Sequence, residues 1–293
     1  MNDIINLFMG AVVGTFITGS LYTLIAVGLS LLWSTMNFAN FGHGAILVIG
    51  AYVAWYFAEI TGLLPFIFLS IPVTFLLGVF FDYLIFRKLR HYKDAVLRSM
   101  LASLTMLIII ERVLFLIFGG YRRYIPPLIK GNIVIGNITI FNQHILASII
   151  AIITLIILYL ILTRTVTGIA IKAAGQNIQE SLIVGVNVNR IYSLTMGLGF
   201  TLAGIAGMLL GSMYIFDVTF GRTPQLIGYV IAVLGGIGNI KGTIYSSYLI
   251  AAIESLTIII IGGGWRLAIP YLIMIAILVL KPHGLFGIKE EVR

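Results

Sequence analysis

Residues 145–162 read ILASIIAIITLIILYLIL, a run without a single charge, closed by His144 on one side and Thr163-Arg164 on the other. A helix of that length rises about 27 Å, and crossing a hydrocarbon core of roughly 30 Å takes about 20 such residues. Working outward, the same pattern recurs along the chain. Nine stretches read as spans: 4–34, 42–60, 63–86, 97–118, 145–162, 192–213, 224–240, 243–261 and 266–281. The first suits one tilted span with an overhang, whereas 224–240, 243–261 and 266–281 are short or interrupted by Gly. The runs are too long, and alternate too little, for lipid-facing barrel strands. The predicted fold class is therefore all-α, a polytopic membrane protein of about nine transmembrane helices (eight to ten) in a single transmembrane domain over 1–293. Composition agrees, with 60% hydrophobic and 10% charged residues, against roughly 25% charged in a soluble domain. Met1-Asn2-Asp3 lacks the positive n-region of a cleaved signal peptide, so the first span is expected to be permanent.

Charge sets the expected orientation. Along nine spans, twelve of the eighteen Lys and Arg fall on one face, in the connections 87–98 and 163–191, at Lys241, and at Lys281, Lys289 and Arg293. The other face receives Arg122, Arg123, Lys130, Arg222 and Arg266, and Arg112 lies inside the fourth span. Positive residues favour the cytoplasm, which puts the N-terminus outside and the C-terminus inside. The net charge of +8 is thus a topology signal, and nucleic-acid binding is not expected because no basic domain presents it. The outer connection 119–144 carries Ile133-Val134-Ile135 and Ile138-Thr139-Ile140 around Gly136-Asn137, a predicted hairpin. It either meets an external partner or caps the helix ends.

Several chemistries are missing. There is no Cys, and four scattered His offer no metal site. No phosphate-cradling motif, H-E-x-x-H or G-x-S-x-G occurs, so no catalytic residue is predicted and ATP must be hydrolysed elsewhere. Charges at membrane depth survive for a reason. Asp82 lies close to the inner interface, where pairing or hydration makes it ordinary. Glu111 and Arg112 point about 100° apart, one toward a helix or a watery path and the other toward the interface. Glu254 is read as an interhelical contact with Ser246, Ser247 or Thr257, or as a pathway group. Gly10 with Gly14, and Ala203, Gly207 and Gly211, have the spacing of close helix packing.

Two segments look irregular at depth, 37–44 and 235–242. Broken helices of this kind expose N–H and C=O groups to polar solutes; the alternative is two tight inner turns. In the inner loop, Ile178, Leu182 and Ile183 put one apolar face on a short helix over 178–184, which wants a protein groove.

These residues carry a resemblance. Asn40-Phe41-Gly42-His43-Gly44 followed by Gly50-Ala51-Tyr52 is similar to the N-F-A-H-G…G-A-Y signature of LivH-type permeases of branched-chain amino-acid ABC importers, with Gly42 in place of Ala. Val233 to Gly238 resembles that family's V-L-G-G-x-G, and Lys281 to Gly287 its C-terminal P-x-G-L-F-G. The inner loop resembles the E-A-A-x-x-x-G coupling segment, with Gln179-Glu180-Ser181 in the E-A-A places and Gly185 as the glycine, although the I-x-L-P ending is absent.

The resemblance implies a permease subunit without chemistry of its own, moving branched-chain or related amino acids inward by alternating access. Its implied partners are cytoplasmic ATPase subunits holding ATP and Mg, a second homologous permease and an external solute-binding protein, in a prokaryotic plasma (inner) membrane. The substrate-path candidates are Asn37, Asn40, His43, Gly235, Gly236 and Gly238. The coupling candidates are Gly175, Gln179, Glu180, Ser181, Leu182 and Gly185. His43 is as readily a hydrogen-bonded structural residue as a solute contact. An ion-coupled secondary transporter acting alone, or a channel, are the alternatives, and the solute stays open among amino acids, urea and amides.

Overall fold

Apolar helices in lipid satisfy their backbone internally and are left to pack by shape, so glycines decide how closely they approach. The structure, a computed structural model, describes residues 2–62, 68–136, 138–281 and 283–287. Residues 63–67 of the third predicted span, Asn137 of the hairpin, Pro282 of the C-terminal motif, and Lys289 and Arg293 lie outside the described residues. In chain order the elements are α1 (Asn2–Met36), α2 (His43–Thr61), α3 (Ser70–Leu89), α4 (Ala95–Phe118), β1 (Asn132–Ile135), β2 (Ile138–Phe141) and α5 (Asn142–Arg164). Then follow α6 (Val166–Gln176), α7 (Ile178–Ile183), α8 (Val188–Met213), α9 (Arg222–Leu234), α10 (Ile240–Ile260) and α11 (Ala268–Leu280). The last five residues of α3 before Arg87, Asp82–Phe86, form a π turn.

Among the described residues, seven helices are long and apolar enough to cross a membrane: α1, α2, α3, α4, α5, α8 and α10. The helices over the seventh and ninth predicted spans are shorter than expected. Where 224–240 and 266–281 were expected to cross, α9 and α11 have 13 residues each, about 20 Å of rise and two-thirds of the core. The cause is visible at the ends of α9. Gly235 opens a tight turn into α10, while the start of α9 is held by partners well below the ends of its neighbours.

The bundle has two ends. One carries the 90–94 turn, α6 and α7, and is called the basic end; the other carries β1 and β2 and is called the hairpin end. The hairpin forms as predicted, antiparallel with Ile135 opposite Ile138 and Asn132 opposite Phe141.

Helix α8 is the most enclosed element and α3, α4 and α5 are the least. It packs along α2, α3 and α1, and α1 packs in turn along α10. Glycines make these approaches possible. A Cβ on Gly207 would collide with the Leu47 carbonyl, one on Gly50 with the Gly204 backbone, and one on Gly78 would lie 2.6 Å from the Met196 carbonyl. A Cβ on Gly14 would lie 3.3 Å from Ser255 Oγ. Ala203, Gly207 and Gly211 all lie buried on α8, so the spacing read as packing is packing.

Candidate functional site

The first irregular segment doubles back. After Met36 the chain turns through Asn37, whose φ of 55° is the left-handed conformation that Asn tolerates better than most residues. His43 then lies against Gly28, where an added Cβ would stand 2.8 Å from the ring. Gly28 is eight residues before Met36, so α2 begins about 12 Å up from the end of α1. The segment between is enclosed, with Phe38, Ala39 and Asn40 all buried. Its backbone is paired: Phe41 N–H donates to Ser103 Oγ (2.9 Å), Gly42 N–H to Asn40 Oδ1 (2.9 Å) and Gly44 N–H to Gln225 Oε1 (2.5 Å).

Irregular backbone at depth is therefore tolerated by burial in protein. His43 is fully buried, its edge toward the Ile25 carbonyl and neither ring nitrogen in a hydrogen bond of normal geometry. Gly44 is needed because Gly221 and Gln225 press on it. Of the path candidates here, Asn37 is exposed at the basic end, whereas Asn40 and His43 sit inside the α1, α2 and α8 packing.

The second irregular segment is a tight turn. Gly236 (φ 88°) and Gly238 (φ 79°) take conformations suited to Gly, and Asn239 caps α10 by accepting from Gly242 N–H at 3.0 Å. The turn also holds the C-terminal segment. Leu285 N–H donates to the Leu234 carbonyl (2.7 Å) and Asn239 Nδ2 to the Phe286 carbonyl (2.9 Å). Two sequence motifs some fifty residues apart thus form one substructure. Gly235 and Gly236 are buried in it and Gly238 lies against Ser34.

The coupling candidates lie together at the basic end. Asn177 ends α6 and caps α7, accepting from Gln179 and Glu180 N–H while its amide donates to Glu180 Oε1 at 2.8 Å. Ser181 is buried beneath α7, and Ile178, Leu182, Ile183 and Val184 are exposed, Ile183 to 85%. Gly185 (φ 83°) turns the chain away toward α8. Gly175 is the anchor, since a Cβ there would strike the Ser34 carbonyl of α1.

Every acid flagged at depth has a basic partner. Asp82, fully buried, pairs with Arg90 and accepts from Ser193 Oγ at 2.6 Å. Glu111 accepts both Nε (2.8 Å) and Nη2 (2.5 Å) of Arg222. Glu254 pairs with Arg266 and accepts from Tyr22 Oη at 2.7 Å. The expected partners Ser246, Ser247 and Thr257 are replaced by groups on α1 and beyond α10. Arg222 and Arg266, counted on the outer face, are the partners of two of these carboxylates, with side chains 56% and 40% exposed. Arg112 is exposed. Sequence reading missed Gln225, Tyr22 and the Arg222 and Arg266 pairings; a lone amide inside 224–234 was the available signal for Gln225.

Two cavities lie on one seam. One of about 830 Å³ at the basic end is lined by Trp33, Asn37, Gly175, Gln179, Val233 and His283 among others. Another of about 410 Å³ lies under the loop at 214–220, lined by Tyr22, Leu210, Asp217, Thr223, Ile227 and Arg266 among others. Both are walled by α1 and α9. Between Tyr22 and Trp33, about 16 Å along α1, the seam is shut where Gly228 packs against Ile25 and Leu29. Closed packing between cavities at opposite ends is the geometry alternating access requires.

The comparisons agree with this architecture. The high-affinity branched-chain amino acid transport system permease protein BraD of Pseudomonas aeruginosa is 26% identical over 97% of each chain. The probable branched-chain amino acid transport permease protein LivH of Methanocaldococcus jannaschii is 29% identical over 94% of this chain and 91% of its own. LivH of Escherichia coli K12 is 25% identical over 93% of each. No solved structure gives a significant match. Residues 11–278, from the first third of α1 almost to the end of α11, match one family throughout, and with its membrane-length helices the chain belongs to the permease components of branched-chain amino acid transport systems.

Proposed function

We propose that this chain is the membrane-spanning subunit of an ATP-binding-cassette importer, carrying branched-chain or related amino acids inward across a prokaryotic plasma (inner) membrane. In this reading the basic end is cytoplasmic, the N-terminus is outside and the C-terminus inside. Separate ATPase subunits hold ATP and Mg. A second homologous permease completes the pore, and a solute-binding protein delivers cargo at the hairpin end.

The observation that carries the reading is α7. Ile178, Leu182 and Ile183 form an exposed apolar face on a helix too short to enter the bilayer, and such a face fits a protein groove. Its motion has a route inward. The Asn177 cap joins α7 to α6, Gly175 rests on Ser34 of α1, and α1 walls both cavities. ATPase closure would thus shift α1 against α9 and exchange which cavity is open. Nothing favours ion coupling, since Asp82, Glu111 and Glu254 are each locked to an arginine.

The test is substrate-stimulated ATPase activity of the chain reconstituted with its ATPase and binding-protein partners. Gly185→Arg puts a side chain on a left-handed residue, which costs about 1 kcal/mol or more and re-aims the end of α7. It is expected to abolish stimulation while leaving the bundle folded. Unimpaired stimulation would sink the docking role of α7. Uptake by the chain alone, driven by a cation gradient, would replace the importer reading.

A further inference from the structure

We propose that the cavity at the hairpin end is a binding site for a zwitterionic amino acid, with its carboxylate on Arg266, its ammonium on Asp217 and its side chain against Leu21, Leu210 and Ile227. The proposal rests on the importer reading and adds where on this chain the cargo is held and by which groups.

The charges come first. Arg266 Nε donates to Glu254, while Glu254 is further fixed by Tyr22 Oη at 2.7 Å. A guanidinium has five N–H donors, so the bond to Glu254 and a contact with Tyr22 Oη orient the group and leave its remaining N–H donors for the cavity that this 40%-exposed side chain lines. Glu254 is 3% exposed; its charge is spent on holding Arg266, and it offers little to a ligand. Asp217 is arranged in the complementary way. Its Oδ1 accepts from Thr219 N–H (2.8 Å) and Thr219 Oγ1 (2.7 Å). Oδ2 makes no hydrogen bond among the described residues and is left for a donor.

The wall comes next. Leu21, Leu210 and Ile227 are buried residues that line the same cavity. An apolar pocket with a few oriented polar groups is the usual form of a small-molecule site. The two ends select a zwitterion by hydrogen bonding: Arg266 offers donors to a carboxylate and Asp217 an acceptor to an ammonium, so a free carboxylate or a simple amine makes one of the two bonds and a zwitterion makes both. The floor is the Gly228 contact, so bound cargo rests on the closed part of the seam.

The experiment measures binding of radiolabelled leucine to the purified permease with its partners in lipid nanodiscs, and leucine uptake by the same assembly in proteoliposomes. Asp217→Asn removes the ammonium partner, and Thr223→Trp fills the cavity from an exposed position. Each is expected to weaken leucine binding and raise the uptake KM about tenfold or more, the scale of one charged hydrogen bond. Leucine, isoleucine and valine should compete. Isoamylamine, which lacks the carboxylate, and 4-methylpentanoate, which lacks the ammonium, should not.

Unchanged affinity and KM in both variants, with normal leucine-stimulated ATPase, would overturn the site and leave the importer reading standing. Equal competition by 4-methylpentanoate, or displacement of leucine by phosphatidylglycerol, would overturn it in favour of an anion or lipid-headgroup site. Absence of leucine-dependent ATPase in the unaltered assembly would overturn both.

Discussion

At Asp82 a carboxylate is buried completely beside a π turn, answered by Arg90, whose side chain is 17% exposed, and by Ser193. Removing one member of such a pair leaves an uncompensated charge, a loss of about 3–5 kcal/mol, whereas replacing both by apolar groups is often nearly neutral. Arg90→Leu should therefore lower the thermal unfolding midpoint in detergent markedly, and Asp82→Leu combined with Arg90→Leu should recover most of the loss. A double variant no more stable than the single one would show that the pair is not the source. This pairing was one of the two outcomes legible in the sequence, the other being hydration, since Asp82 lies five residues from the basic cluster; the burial of Asp82 against Arg90 selects pairing. Glu254 was less legible. Ser246, Ser247 and Thr257 are its helix neighbours, but Tyr22 lies 232 positions away, and no local periodicity points across such a distance.

Among elements, α9 separates what apolarity shows from what it does not. An apolar stretch marks burial in lipid or protein, and only length marks a crossing; the turn at Gly235 and the partners of Arg222 and Gln225 shorten α9 without changing its composition. Seven membrane-length helices, the hairpin and the short α7 were readable from pattern and turn chemistry. The joining of the glycine turn to residues 283–287 was not, because it rests on backbone hydrogen bonds such as Leu285 to Leu234, which any sequence can make. The shortness of α9 has a mechanical consequence. Gly228 lets it lie on α1, and an added Cβ would sit 2.8 Å from Ile25 Cγ2 and 3.0 Å from Leu29 Cδ1. Gly228→Val should wedge the seam, cutting uptake about tenfold or more by the usual cost of overpacking, while ATPase subunits still co-purify with the permease. Normal uptake by this variant would mean that the α1–α9 seam does not move during transport.

For the molecule as a whole, the distribution of charge carries the proposed orientation. Of the five cations assigned to the hairpin face, Arg122, Arg123 and Lys130 lie in the connection that carries the hairpin, and Arg222 and Arg266 pair with Glu111 and Glu254. The positive-inside rule counts Lys and Arg rather than net charge, so the twelve-to-five count is what supports the proposed orientation, with the basic end cytoplasmic. The absence of Cys makes this directly measurable, since any introduced thiol is unique. Val134→Cys places one on the hairpin, at a position 62% exposed, and Ile183→Cys places one on α7, at a position 85% exposed. In intact cells a membrane-impermeant maleimide should label the hairpin variant and spare the α7 variant until the membrane is permeabilised. Once exposed, the α7 thiol should be shielded again when ATPase subunits are bound, because the face that makes Ile183 so accessible in the isolated chain is the face proposed to dock. The reverse labelling pattern would invert the topology, move α7 out of reach of any cytoplasmic ATPase, and turn the cavity at Arg266 and Asp217 from the side where cargo arrives to the side where it leaves.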